Sequence, residues 1–111
     1  MNLKRCRPED LAIDLLGRSI CAVQVSAVLA DRSIYSWGWN GVHTGLGIHA
    51  EAHCLSRANR RRISQSTLYT AARRKKSGNV VTAKPCADCQ ALLRRVKRVV
   101  YRDGDGSWQK L

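Results

Sequence analysis

Three observations in the 111-residue sequence predict an α/β fold in which a sheet carries helices on its faces. Val-rich or otherwise apolar runs at Cys21 to Ala30, Ile34 to Trp39 and Val96 to Arg102 have strand composition. They alternate with stretches of helical spacing around Pro8, His49 and Pro85. A composition of 44% hydrophobic and 25% charged residues supplies one core, so the expectation is a single domain spanning 1–111 and neither a disordered tail nor a multidomain chain.

In chain order, Pro8 suits the first turn of a helix, Glu9 and Asp10 complement its positive end, Leu11 and Leu15 share a face, and Gly17 ends it. Cys21 to Ala30 and Ile34 to Trp39 read as antiparallel strands about the Asp31-Arg32-Ser33 turn, followed by a loop over Gly41 to Gly47. A helix is expected from His49 to about Arg62, with Ala52 and Leu55 inward and arginines at its negative end. Thr67 to Ala72 and Asn79 to Ala83 are strand segments flanking a basic bend, either a hairpin or one interrupted strand. Pro85 opens a helix reaching about Arg95. Asp103-Gly104-Asp105-Gly106 then turns Ser107 to Leu111 back as an antiparallel edge strand.

The net charge of +12 is unevenly placed. Residues 1–51 balance five basic against five acidic side chains, whereas from residue 52 onward fifteen Lys or Arg face only Asp88, Asp103 and Asp105. No acid occurs between Ala52 and Ala87, the stretch that holds Arg60, Arg61, Arg62, Arg73, Arg74, Lys75, Lys76 and Lys84. A one-signed field of this size attracts polyanions, which makes single-stranded nucleic acid the expected partner ahead of a merely solvated basic surface.

The apolar stretch Leu11 to Leu16 is short and broken by Asp14, so neither a membrane helix nor a membrane partner is expected. Glu9, Asp10 and Asp14 also argue against a secretory signal, and a cytoplasmic, reducing compartment follows as the expectation. Five irregularly spaced cysteines do not form a disulfide framework. No motif encodes an oligomeric state.

Two short motifs carry the chemistry, His49-Ala50-Glu51 and Pro85-Cys86-Ala87-Asp88-Cys89. A Cys-x-x-Cys at a helix start turns both sulfurs to one point, and His49 adds a neutral nitrogen. Three ligands leave the fourth tetrahedral position of Zn²⁺ open to water, as catalytic rather than structural sites do. Glu51, two residues from His49, is placed to act as the base.

At these residues the chain resembles the zinc-dependent cytidine deaminase-like superfamily, which carries H-x-E followed by P-C-x-x-C. Trp37-Gly38-Trp39-Asn40, Thr67-Leu68-Tyr69 and Lys97-Arg98-Val99-Val100-Tyr101 extend the similarity over about residues 20–102. The resemblance implies a three-layer α/β/α fold around a mixed five-stranded sheet, with zinc held by His49, Cys86 and Cys89. It also implies Glu51 as the proton carrier in converting cytosine to uracil, Asn40 on the sugar and backbone groups near Ala50 on the base. Trp37 and Trp39 are candidates to stack neighbouring bases of a polymer, with core packing as the competing reading. No room remains after Arg102 for the additional helix of the polynucleotide-deaminase branches, and the final hairpin agrees with the division whose last two strands are antiparallel.

Other readings use the same residues. A free cytidine, deoxycytidine or dCMP deaminase, or an adenosine deaminase on nucleic acid, would keep both motifs. A non-catalytic zinc module would recruit His53 or Cys54 as a fourth ligand. The Cys-x-x-Cys lacks the Trp-Cys-Gly context of a redox pair, and His-Ala-Glu-Ala-His puts its glutamate in the wrong place for a metalloprotease. His43 reads as a loop residue, and Cys6 and Cys21 as unligated thiols.

Overall fold

The computed structural model describes residues 7–41 and 49–111; Cys6, His43 and most of the loop expected over Gly41 to Gly47 lie outside them. Helix α1 (Pro8–Leu15) runs into a 3₁₀ turn at Leu16–Arg18, and strands β1 (Val23–Ala30) and β2 (Ile34–Trp39) follow. Then come α2 (Ala50–Ser56), α3 (Arg60–Ile63), β3 (Thr67–Arg74), β4 (Val80–Val81) and α4 (Ala87–Leu92) with its 3₁₀ extension Leu93–Arg95. Strands β5 (Arg98–Arg102) and β6 (Trp108–Lys110) complete the order.

The sheet is mixed, in the order β2-β1-β3-β5-β6, with β3 and β5 parallel and the other neighbours antiparallel. Strand β4 pairs with the end of β3, Ala72 opposite Val81 and Arg73 opposite Val80, giving six strands where five were expected. The segments around the basic bend thus form a hairpin. Gly78, at φ 74°, supplies the left-handed residue of its turn, and Arg74 and Asn79 close it through Arg74 N–H donating to Asn79 O at 2.9 Å.

Alternation along the strands sorts the side chains into two layers. Ala27, Leu29, Leu68 and Val99 face α2, α3 and α4, where they pack with Cys54, Leu55, Ile63 and Leu93. Val28 and Ala71 face the other way, onto Leu11, Ala12, Leu15 and Leu16 of α1. Ser26 on that face donates to Ala12 O, so its buried hydroxyl is satisfied. The three-layer α/β/α arrangement is the result.

The helix expected from His49 to Arg62 is two. Helix α2 ends at Ser56, its C-terminal carbonyls of Cys54 and Leu55 taken by Arg57 N–H, and Asn59 starts α3 by accepting a hydrogen bond from Arg61 N at 3.0 Å. A side chain that caps a new helix outcompetes continuation of the old one. The break lets Arg62 turn back to Asp31, with Nε to Oδ2 at 2.7 Å and Nη2 to Oδ1 at 2.6 Å, while its guanidinium lies 3.9 Å from the Tyr35 ring centre. Arg62 holds the Asp31 carboxyl far below its ordinary value of 3.8. A depressed carboxyl stabilises the fold above its unfolded value and loses that contribution as the acid protonates. The resistance of wild type to urea should therefore fall progressively below about pH 4, and Asp31→Asn should flatten that part of the profile.

Gly38 sets the distance between sheet and helix. A Cβ there would lie 2.7 Å from Cys54 N and 2.8 Å from His53 Nδ1, so α2 rides directly on the β2 backbone. Gly38→Ala should lower stability by about 1–3 kcal/mol, read as a lower urea midpoint at unchanged slope.

Candidate active site

The site forms at the end of the sheet where β1 begins and β2 and β3 finish. A cavity of about 310 Å³ opens there, walled by Val23, Val25 and Ala72 of the sheet, by Asn40 and Gly41 after β2, and by Thr82 to Pro85 ahead of α4. Ala50 and Glu51 from the first turn of α2 close its inner side.

His49 and Cys86 occupy equivalent places, each the residue that precedes the first turn of a helix in extended conformation. Cys89 sits one turn into α4 and is buried. His49 Nδ1 lies 3.0 Å from Cys89 Sγ, and one ligand atom from each of His49, Cys86 and Cys89 lies within 4.8 Å of the others. Ligands of a tetrahedral zinc, at roughly 2.0 Å for nitrogen and 2.3 Å for sulfur, stand about 3.5–3.8 Å apart, inside this spread. Burial, then the adjacent charge of Glu51, pushes the Cys89 thiol upward. Such a sulfur ionises only beside a compensating cation, so the donor set fits Zn²⁺ by charge as well as by placement.

The rival fourth ligands are elsewhere. Cys54 is packed in the core under α2, where burial pushes its thiol up to about 12. His53 accepts from Trp39 N at 3.2 Å and meets the Trp39 ring edge-on. Among the described residues the metal-binding group is His49, Cys86 and Cys89 alone, which leaves a coordination position free.

Glu51 is buried, at 5% exposure, and lines the cavity beside the triad. It is the one acidic group among the described residues of the wall. Ala50, wholly buried, contributes to the same wall, as does Cys21, a free thiol outside the metal group.

The remaining candidates separate. Trp37 and Trp39 do not reach the cavity: their register partners Val28 and Ser26 point to the α1 face, and both indoles pack there. Arg57 caps Trp37 and Arg18 caps Trp39 as cation–π partners. Both indoles are half-buried on one face of β2, and Trp39 also meets His53 of α2 along its edge. Tyr69 packs on that face against Trp108.

The basic residues divide between the two ends of the sheet. Arg74, Lys75 and Lys76 are exposed at the end of β3 and in the β3–β4 turn, on the cavity side, and exposed Lys84 lines the cavity itself. Arg73 is half-buried, its Nε donating to Gln24 at 2.8 Å. Arg60, Arg61 and Arg62 lie near Asp31 at the opposite end, about 23 Å away along β1 from Val23 to Ala30. Arg62 is committed to its carboxylate there. What sequence reasoning missed was the aliphatic wall of Val23, Val25 and Ala72, since strand alternation gives faces but not which strand ends meet.

A mixed sheet whose neighbouring helix starts present His-x-Glu and Cys-x-x-Cys to one cavity defines a zinc-dependent deaminase domain. Residues 10–102 match the cytidine and deoxycytidylate deaminase zinc-binding region, and the chain belongs to that family. A search of curated proteins returns no match. No helix among the described residues is long and apolar enough to cross a membrane.

Proposed function

We propose that the protein deaminates cytosine to uracil in single-stranded DNA or RNA. The observation that carries the choice of a polymer is the exposed Arg74, Lys75 and Lys76 at the cavity end of the sheet, together with exposed Lys84 on the cavity wall. Successive phosphates flanking a base held in the cavity would meet this cationic rim at several points, while a free nucleoside offers it no phosphate and a mononucleotide offers one.

His49, Cys86 and Cys89 hold Zn²⁺, which when bound supplies the Lewis acidity that makes water a nucleophile near neutral pH. With the ion in place, Glu51 would take a proton from the attacking water and place it on N3 of cytosine as that water adds to C4. Glu51 then moves the second proton to the exocyclic amine, the C4–N4 bond breaks, and ammonia leaves uracil behind. Burial beside Ala50 and Val25 keeps bulk water from competing for that carboxylate.

The test is incubation of zinc-loaded protein with a cytosine-containing oligonucleotide, with dCMP and with deoxycytidine at matched concentration, scoring uracil. Fastest conversion of the oligonucleotide is expected; faster conversion of dCMP or deoxycytidine overturns the polymer reading. Substituting Arg74, Lys75 and Lys76 together by alanine should raise the oligonucleotide KM about tenfold or more. The same triple variant should reduce the magnitude of the logarithmic salt slope of binding by about 2 and leave deoxycytidine turnover unchanged.

A further inference from the structure

Asn40 lines the cavity, and its amide cannot rotate freely. Its Oδ1 accepts from Val25 N at 2.9 Å and from Ser19 Oγ at 2.5 Å, and its Nδ2 donates to Val23 O at 2.9 Å. A backbone N–H only donates and a carbonyl only accepts, so these partners fix which end of the amide is oxygen and which is nitrogen. Three groups occupy its oxygen and one of its two N–H bonds. What remains for a ligand is a hydrogen-bond donor.

Ser19 is itself held. It is 2% exposed, its carbonyl accepts from Gln24 Nε2 at 2.8 Å, and Gln24, 3% exposed, accepts from Arg73 Nε at 2.8 Å. The chain Arg73, Gln24, Ser19, Asn40 thus leads from the strand that ends in the basic turn to the cavity wall. It crosses between β3 and β1 and stays outside the metal group. None of its members carries a proton in the reaction described above.

We infer that Ser19 and Gln24 are positioning residues that lock the Asn40 amide and so hold its free N–H ready for the sugar contact that the family resemblance implies for Asn40. The inference rests on the deaminase reading, in which C4 of the base faces the triad and Glu51 and the sugar lies toward the rest of the wall. A positioning role changes ground-state binding and leaves the chemical step alone.

The experiment measures kcat and KM for wild type, Ser19→Ala, Ser19→Thr and Asn40→Asp on deoxycytidine and on the cytosine oligonucleotide, with zinc content and Tm read in parallel. Ser19→Ala should raise KM about tenfold with kcat within twofold of wild type and full zinc, and Ser19→Thr should restore KM. Asn40→Asp still accepts from Ser19 and Val25 but has no N–H, and should raise KM at least as much as Ser19→Ala. An unchanged KM in Asn40→Asp, or a loss confined to kcat in Ser19→Ala, overturns the inference. Should Ser19→Ala fail to fold, Gln24→Ala decides it: a raised KM at unchanged kcat is expected, and an unchanged KM overturns the inference. Absence of uracil from every substrate with wild type would instead sink the deaminase reading.

Discussion

Glu51→Gln is expected to lower kcat by about 10²–10⁴-fold, the range that a positioned acid–base group contributes, with zinc content unchanged. Glutamine nearly matches the shape of glutamate and fills the same buried place beside Ala50 and Cys89. It cannot carry a proton from water to N3 and on to the amine. Uracil formation on the oligonucleotide checks the rate, and metal analysis checks that the triad is intact. Retained oligonucleotide binding with turnover lost separates catalysis from a zinc-stabilised binding module, for which Glu51→Gln would change nothing.

Cys89→Ala carries the second large effect. Cys89 is the buried member of the triad and lies within 3.0 Å of His49 Nδ1, so its loss leaves one histidine and one exposed cysteine to hold the ion. Zinc per chain should fall from near one to below about 0.1, turnover should vanish, and Tm should drop, because binding free energy of the metal is shared with the fold. Cys54→Ala is the matched control. It removes a buried sulfur in the core beside Leu55 and should cost stability with zinc stoichiometry intact. Loss of zinc in the Cys54 variant would overturn the three-ligand assignment.

The metal site was legible because the spacing of two motifs, His-x-Glu and Cys-x-x-Cys, encodes local geometry that each helix start then realises. Strand identities were legible from Val-rich runs, and the last hairpin from Asp103-Gly104-Asp105-Gly106. What escaped depended on contacts distant in sequence. The pairing of Arg62 with Asp31 escaped because nothing nearby announces a partner thirty-one positions earlier. Trp-Gly-Trp showed that both indoles share a face, but which face depends on register with β1. The break at Asn59 was written in a good capping residue, and the alanines before it, Ala50, Ala52 and Ala58, favoured a longer helix.

The clasp of Arg62 on Asp31 and the catalytic cavity occupy opposite poles of β1, with no shared neighbours among the described residues. Robustness and turnover are therefore separable traits of this chain. Asp31→Asn and Glu51→Gln combined should give an unfolding free energy and a rate each equal to the sum of the single effects on a logarithmic scale, so an engineer may harden one pole without retuning the other.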